Sequence, residues 1–106
     1  MTKRYGHPRF YELLEEIAET HSVKNHDYAS SDDPLSNFKE VATATGLEPF
    51  DVIHQFCATK MARIKQLKLK KKNLVKGEGM DDSLKDLAVY ALLGVVLLEE
   101  EASKSL

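Results

Sequence analysis

Apolar residues recur along this chain at steps of three and four, and no segment alternates as a strand would. The pattern predicts four helices. The first opens at Pro8, a residue favoured in a first helical turn, and runs to about Asn25. Phe10, Leu13, Leu14, Ile17 and His21 form its apolar stripe, and Glu12, Glu15, Glu16 and Glu19 fall opposite. Residues 27–35 are rich in turn formers and break the pattern. A short helix follows, capped by Ser36 or Asn37 and stopped after Thr45 by Gly46. Pro49 opens the third helix, whose stripe is Phe50, Ile53, Phe56, Cys57, Ile64 and Leu67 and which fades near Lys72. Residues 76–79 read as a loop. The fourth helix starts between Asp81 and Ser83 and ends around Glu100. Residues 87–98 are apolar nearly all round, so this helix is expected at the centre. The expected fold is an all-α, compact four-helix bundle. It forms one domain over residues 1–106, with residues 1–7 and 102–106 frayed.

Charges on the apolar stripes change this picture. Projected at about 100° per residue, Lys24 falls between Leu13 and Ile17. Lys60 falls between Ile53 and Phe56, with Arg63 at the edge of that stripe. Asp82 and Asp86 continue the line of Val89, Leu93 and Leu97, beside an edge that carries Tyr90. Each has a structural explanation alone. Lysines bury their stems while keeping the ammonium wet. Ser83-x-x-Asp86 has the pattern of a capping box, and Asp82 can cap the helix instead. Jointly, Lys24, Lys60, Arg63, Asp82 and Asp86 would line one polar cavity if these faces meet. Acids there hold Mg²⁺ through oxygen, and bases hold phosphate. A salt-bridge network would place the same residues together.

Length and composition narrow the classes. A chain of 106 residues allows one modest core, which oligomerisation would extend. The net charge of -2 gives no global attraction to nucleic acid or to a membrane surface. No apolar leader precedes His7, so a signal peptide is not expected. The apolar run at 87–98 is too short to span a bilayer, which takes about 20 residues. A single cysteine, Cys57, forms no internal disulfide and fits a cytoplasmic protein. Basic residues concentrate in 60–76 and acids in 78–101, which suits two antiparallel helices that attract each other, or a phosphate-binding surface. His7, His21, His26 and His54 have no zinc-ligand spacing, and no glycine-rich phosphate loop is present.

Four segments together resemble a known family. They are Lys24-Asn25-His26-Asp27-Tyr28; Asn37-Phe38; Lys60-x-x-Arg63-x-x-x-Leu67; and Glu78-x-x-x-Asp82-x-x-x-Asp86-Leu87-Ala88-x-Tyr90-Ala91. They resemble the phage and bacterial nucleotide-modification-associated domain, grouped with the MazG-like all-α nucleotide pyrophosphatases. The similarity extends over residues 8–98. It implies a MazG-like bundle, paired as a homodimer or homotetramer, that holds nucleotide and Mg²⁺ between helices. The broader relatives hydrolyse nucleoside triphosphates to monophosphate and pyrophosphate. They hold the metal with acids in E-x-x-E and E-x-x-D pairs, whereas Asp82 and Asp86 stand four apart.

Carried onto this chain, the resemblance implies a Mg²⁺-dependent pyrophosphohydrolase in a phage or bacterial nucleotide pool. Asp82, Asp86, Glu16 and Glu19 are the candidate metal ligands. Asp82, Asp86 and Lys60 are the candidates for catalysis. Lys24, Asp27, Tyr28, Asn37, Phe38, Lys60, Arg63 and Tyr90 are those for nucleotide and phosphate, with Tyr28, Phe38 or Tyr90 stacking on the base. The alternative is a protein that sequesters a nucleotide without turnover, such as a phage protein that captures a host defence signal. It needs the bases and aromatics but not the acids. A third is an interaction module whose polar cluster is only structural.

Overall fold

A computed structural model describes residues 3–28, 33–70 and 79–104, apart from the side chains of Asp27 and Tyr28. All regular structure among them is helical: α1 (Pro8–Tyr28), α2 (Ser36–Thr45), α3 (Pro49–Lys70) and α4 (Met80–Lys104). Lys71, Lys72 and residues 76–78, expected at a fading helix end and in a loop, lie outside the described residues.

The start of each helix is set by local chemistry. Arg9 N–H donates to His7 Nδ1 at 3.0 Å, which satisfies an orphan amide of α1. The segment before α1 folds back on it, Tyr11 Oη donating to the Tyr5 carbonyl at 2.7 Å. Contrary to the expectation from sequence, neither Ser36 nor Asn37 caps α2. The cap position is Leu35, which makes no side-chain cap bond. Asp33 takes over that work: its Oδ1 accepts from Leu35 N–H at 2.9 Å and its carbonyl from Ser36 N–H at 3.0 Å. Gly46 ends α2 as expected, in the left-handed region with φ 73°. At α3, Asp51 in the first turn reaches back to accept from Glu48 N–H at 3.2 Å. The fourth helix begins at Met80, ahead of the expected start, and Ser83 N–H donates to the Gly79 carbonyl at 3.0 Å. Ser83 is therefore inside the helix, and the capping box with Asp86 does not form.

Helix α3 packs chiefly on α4 and more lightly on α2, and α1 lies against α4. The core is Leu35, Phe38, Ala42, Val52, Ile53 and Leu97. Val52 and Leu97 are its most enclosed members, each 1% exposed. Val52 is absent from the predicted α3 stripe because α3 packs on two sides, Ile53 and Val52 falling on neighbouring faces. Leu35, read from sequence as part of a turn, is also core.

Helix α4 is not surrounded. Leu92, Val95, Val96 and Leu98 are 49–57% exposed. On α1, Phe10 and Leu14 are exposed although they lead the predicted stripe. The molecule is thus more open than the compact bundle expected. Its radius of gyration is 15.9 Å, where a compact chain of this length has about 13 Å. Among the described residues, no helix is long and apolar enough to cross a membrane.

Candidate functional site

Because α1 packs on α4 and α2 packs on α3, a gap opens between α1 and the start of α2, with α4 as its floor. The gap is a cavity of about 310 Å³. That is near the lower end of the ~300–1,000 Å³ usual for small-molecule sites. Helix α1 contributes Glu16, Ile17, Thr20, His21, Lys24 and Asn25. These positions recur at three and four, so they share one face. The entry to α2 contributes Pro34, Ser36, Asn37 and Phe38, and α4 contributes Asp82, Lys85, Asp86, Val89, Tyr90 and Leu93.

An aromatic cluster supports the cavity from below. Phe38 of α2, Phe56 of α3 and Tyr90 of α4 meet there. Phe56 and Tyr90 stack at 5.3 Å between centroids and 30° between planes. Phe38 meets Phe56 edge-on at 5.8 Å and Tyr90 at 6.3 Å. Phe38 is only 6% exposed, so it serves mainly as a core contact joining α2 to α3 and α4. Tyr90 is half-buried and also lines the cavity. Burial pushes its phenol above the usual 10.0, Lys60 opposing the shift and Asp86 adding to it. The phenol therefore stays a neutral hydrogen-bond donor near neutral pH.

Two of the cavity's acids are already engaged. Asp86 Oδ2 lies 3.0 Å from Lys60 Nζ, an ion pair that joins α3 to α4. Glu16 accepts from Arg9 Nη1 and Nη2 at 3.1 and 3.0 Å, and Arg9 also reaches Glu12 at 3.2 Å. The Arg9 hydrogen bond holds the Glu16 carboxyl below its ordinary 4.5, burial opposing it and the charges of Arg9 and Lys85 adding to it. Asp82 makes no ion pair among the described residues.

Of the residues singled out from sequence, Lys24, Asn37, Phe38, Asp82, Asp86, Tyr90 and Glu16 line this one cavity. Lys60 joins it through Asp86. Arg63 is exposed on α3 and is not among the lining residues, nor is Glu19, which is exposed on α1. The side chains of Asp27 and Tyr28 lie outside the described residues. Sequence reasoning did not single out Thr20, Asn25, Ser36 and Lys85 for the site. Thr20 and Asn25 were legible as neighbours of Ile17, His21 and Lys24 at helical spacing, and Lys85 as the i–4 neighbour of Val89. Ser36 required knowing that the start of α2 faces α1.

Glu16, Asp82 and Asp86 are the acids that line the cavity. Among the described residues, no three His, Cys, Asp or Glu side chains come close enough to hold a metal ion. Glu16 and Asp86 face Arg9 and Lys60 instead. The described residues, so arranged, do not fit a resident metal.

No curated protein and no solved structure matches the chain significantly. One family profile, described as nucleotide modification associated domain 1, matches residues 24–98. The matched stretch begins at Lys24 and includes the α2 and α4 walls of the cavity. It spans more than half of the 106 residues, so the chain belongs to the nucleotide modification associated domain 1 family.

Proposed function

We propose that the cavity between α1, the start of α2 and α4 binds a nucleotide, in a bundle of the MazG-like type. One observation carries this reading. Residues selected by family resemblance and by misplaced charge, from three separate helices, share one cavity of suitable size. Its surfaces suit the parts of a nucleotide. Tyr90, Ile17, Val89 and Leu93 offer an aromatic and aliphatic wall for a base. The amides of Asn25 and Asn37 each present a donor and an acceptor to a base edge or sugar. Lys24 and Lys85 supply ammonium groups for phosphate. Ser36 and Asn37 belong to the first turn of α2, whose amides carry partial positive charge.

The second reading is Mg²⁺-dependent pyrophosphohydrolysis in a phage or bacterial nucleotide pool. It is favoured by three acids from two helices, Glu16, Asp82 and Asp86, on the same walls. It requires Arg9 and Lys60 to release their carboxylates. We propose also that the protein acts as a homodimer or homotetramer, since α1 and α4 leave apolar residues uncovered.

Incubation with a nucleotide panel and Mg²⁺, followed by assays for pyrophosphate and for retained nucleotide, separates the two. The binding reading expects intact ligand recovered after denaturation. Pyrophosphate release that Asp86→Asn abolishes would establish hydrolysis instead. Neither ligand nor product would leave the polar cluster structural.

A further inference from the structure

We infer that α4 pairs antiparallel with α4 of a second copy of this chain, along a seam of Leu84, Ala88, Ala91, Val95, Leu98 and Ala102. This rests on the oligomeric reading above and names its surface and its direction. The six positions follow one another at steps of four, three, four, three and four. That is the heptad spacing of a helix that packs along another helix. All six are exposed. Projected at about 100° per residue, they fall within about 40° of a single line. A helix face left to water carries charged or polar residues. Over about five turns, these positions carry none.

The other faces of α4 are already used. Gly94 and Leu97 are buried, Gly94 beside Ile53 of α3. Asp82, Asp86, Val89 and Leu93 line the cavity and project opposite the seam. Pairing along the seam therefore leaves both cavities open. The alanines let two backbones approach to the short end of the usual ~8–10 Å, while Leu84, Val95 and Leu98 supply apolar area. Charge selects a second copy and its direction. Lys85, Leu92 and Glu99 lie on one flank of the seam, one heptad apart. In an antiparallel pair with two-fold symmetry, that flank meets its own counterpart in reverse. Lys85 then comes beside Glu99 of the partner subunit, twice per pair. Leu92, 57% exposed, meets its own copy at the axis. A parallel pair would set Lys85 beside Lys85 of the partner subunit and Glu99 beside Glu99 of the partner subunit, and like charges repel.

The test is sedimentation equilibrium of the full chain, joined to disulfide trapping. Ala91→Glu puts two carboxylates at the middle of the seam and should weaken pairing by about tenfold or more. Its helical circular dichroism should be unchanged, because Ala91 is exposed. Leu14→Glu, on the exposed part of α1, should still sediment as a dimer or larger. For direction, Ala88→Cys and Leu98→Cys are each made in a Cys57→Ser background, which removes the one native thiol. An antiparallel seam brings residue 88 beside residue 98 of the second copy. Mild oxidation should therefore crosslink the mixture of the two variants and neither variant alone. Crosslinking of each variant with itself marks a parallel pair and overturns the inference. An oligomer that survives Ala91→Glu, or that Leu14→Glu alone reduces to monomer, overturns it too and leaves the oligomeric reading standing on another face. A wild-type chain that stays monomeric removes both and leaves the seam to a different protein.

Discussion

Gly94 and Gly46 show how one residue type carries opposite consequences. Gly94 sits inside α4 where that helix crosses α3, and a Cβ built there would lie 3.6 Å from Ile53 Cγ2. That is ordinary van der Waals contact, and a glycine inside a helix costs about 0.8–1.0 kcal/mol relative to alanine. Gly94→Ala should therefore raise stability by about 0.5–1 kcal/mol, read as a higher urea midpoint. Gly46 has open space around its Cα but a φ of 73°. Gly46→Ala should cost about 1 kcal/mol in the same measurement, because strain there comes from the backbone and not from a neighbour. Gly46 was legible as a helix stop from its place in the pattern. Gly94 was not legible as a contact, since nothing local says that α3 crosses there. Leu35 is the same kind of case: it lies in a turn by sequence, and only the packing of α2 on α3 makes it core.

The α2 wall of the cavity is held by a charged clamp. Lys39 Nζ lies 2.6 Å from Asp33 Oδ2 and 2.8 Å from Glu100 Oε1, so it ties the loop before α2 to the far end of α4. Lys104 adds a second contact to Glu100 at 3.3 Å. The hydrogen bond from Lys39 holds both carboxyls below their ordinary values of 3.8 and 4.5, and the same bonds raise Lys39 above 10.5. Groups with a depressed pKa stabilise the fold fully above the unfolded value and lose that contribution as pH falls through the folded value. The acid limb of this clamp is thus intact at pH 7 and is lost as pH falls from about 4 through the lowered folded values. Lysine behaves in the opposite sense: its contribution is complete below 10.5 and is lost as pH rises through the raised value. Lys39→Met should lower Tm at pH 7 and make progressively less difference as pH is taken down toward about 2, measured by thermal unfolding at both ends. An equal loss at both pH values would mean that Lys39 acts through its stem and not through its charge. The lysine and both acids were visible in the sequence. Their meeting was not, because Lys39 and Glu100 stand far apart along the chain.

At the scale of the whole molecule, too much surface is left. The accessible area is 8468 Å², against about 6,000 Å² for a compact monomer of this mass. Part of the excess is the face of α4 that carries Leu84, Val95 and Leu98, flanked by Leu92 and Val96. Nothing described within the chain covers these apolar side chains, which is what supports the proposed oligomeric reading. Under the proposed oligomeric reading, the wild-type chain should sediment as a dimer or larger at micromolar concentration. Val95→Glu should shift it toward monomer, through the cost of burying an unpaired carboxylate. A wild-type chain that stays monomeric at high concentration removes that reading. The apolar run at 87–98 looked like the signature of a central helix, and in one chain it is only partly covered. Hydrophobicity all round a helix says that every face wants a partner, without saying which molecule supplies it.

By itself, the sequence determined the four helices, most of their ends and the stripes that pack α3 on α4, because periodicity, proline and Gly46 act within a few residues. It also determined which charges were out of place: Lys24, Lys60, Asp82 and Asp86 all proved to sit at or beside one cavity. Only the tertiary structure decided how those charges are used. Arg9 and Lys60 each engage one of the cavity's carboxylates. Coulomb interactions depend on distances across helices, and a helical projection fixes direction around one axis but not the neighbour that waits there.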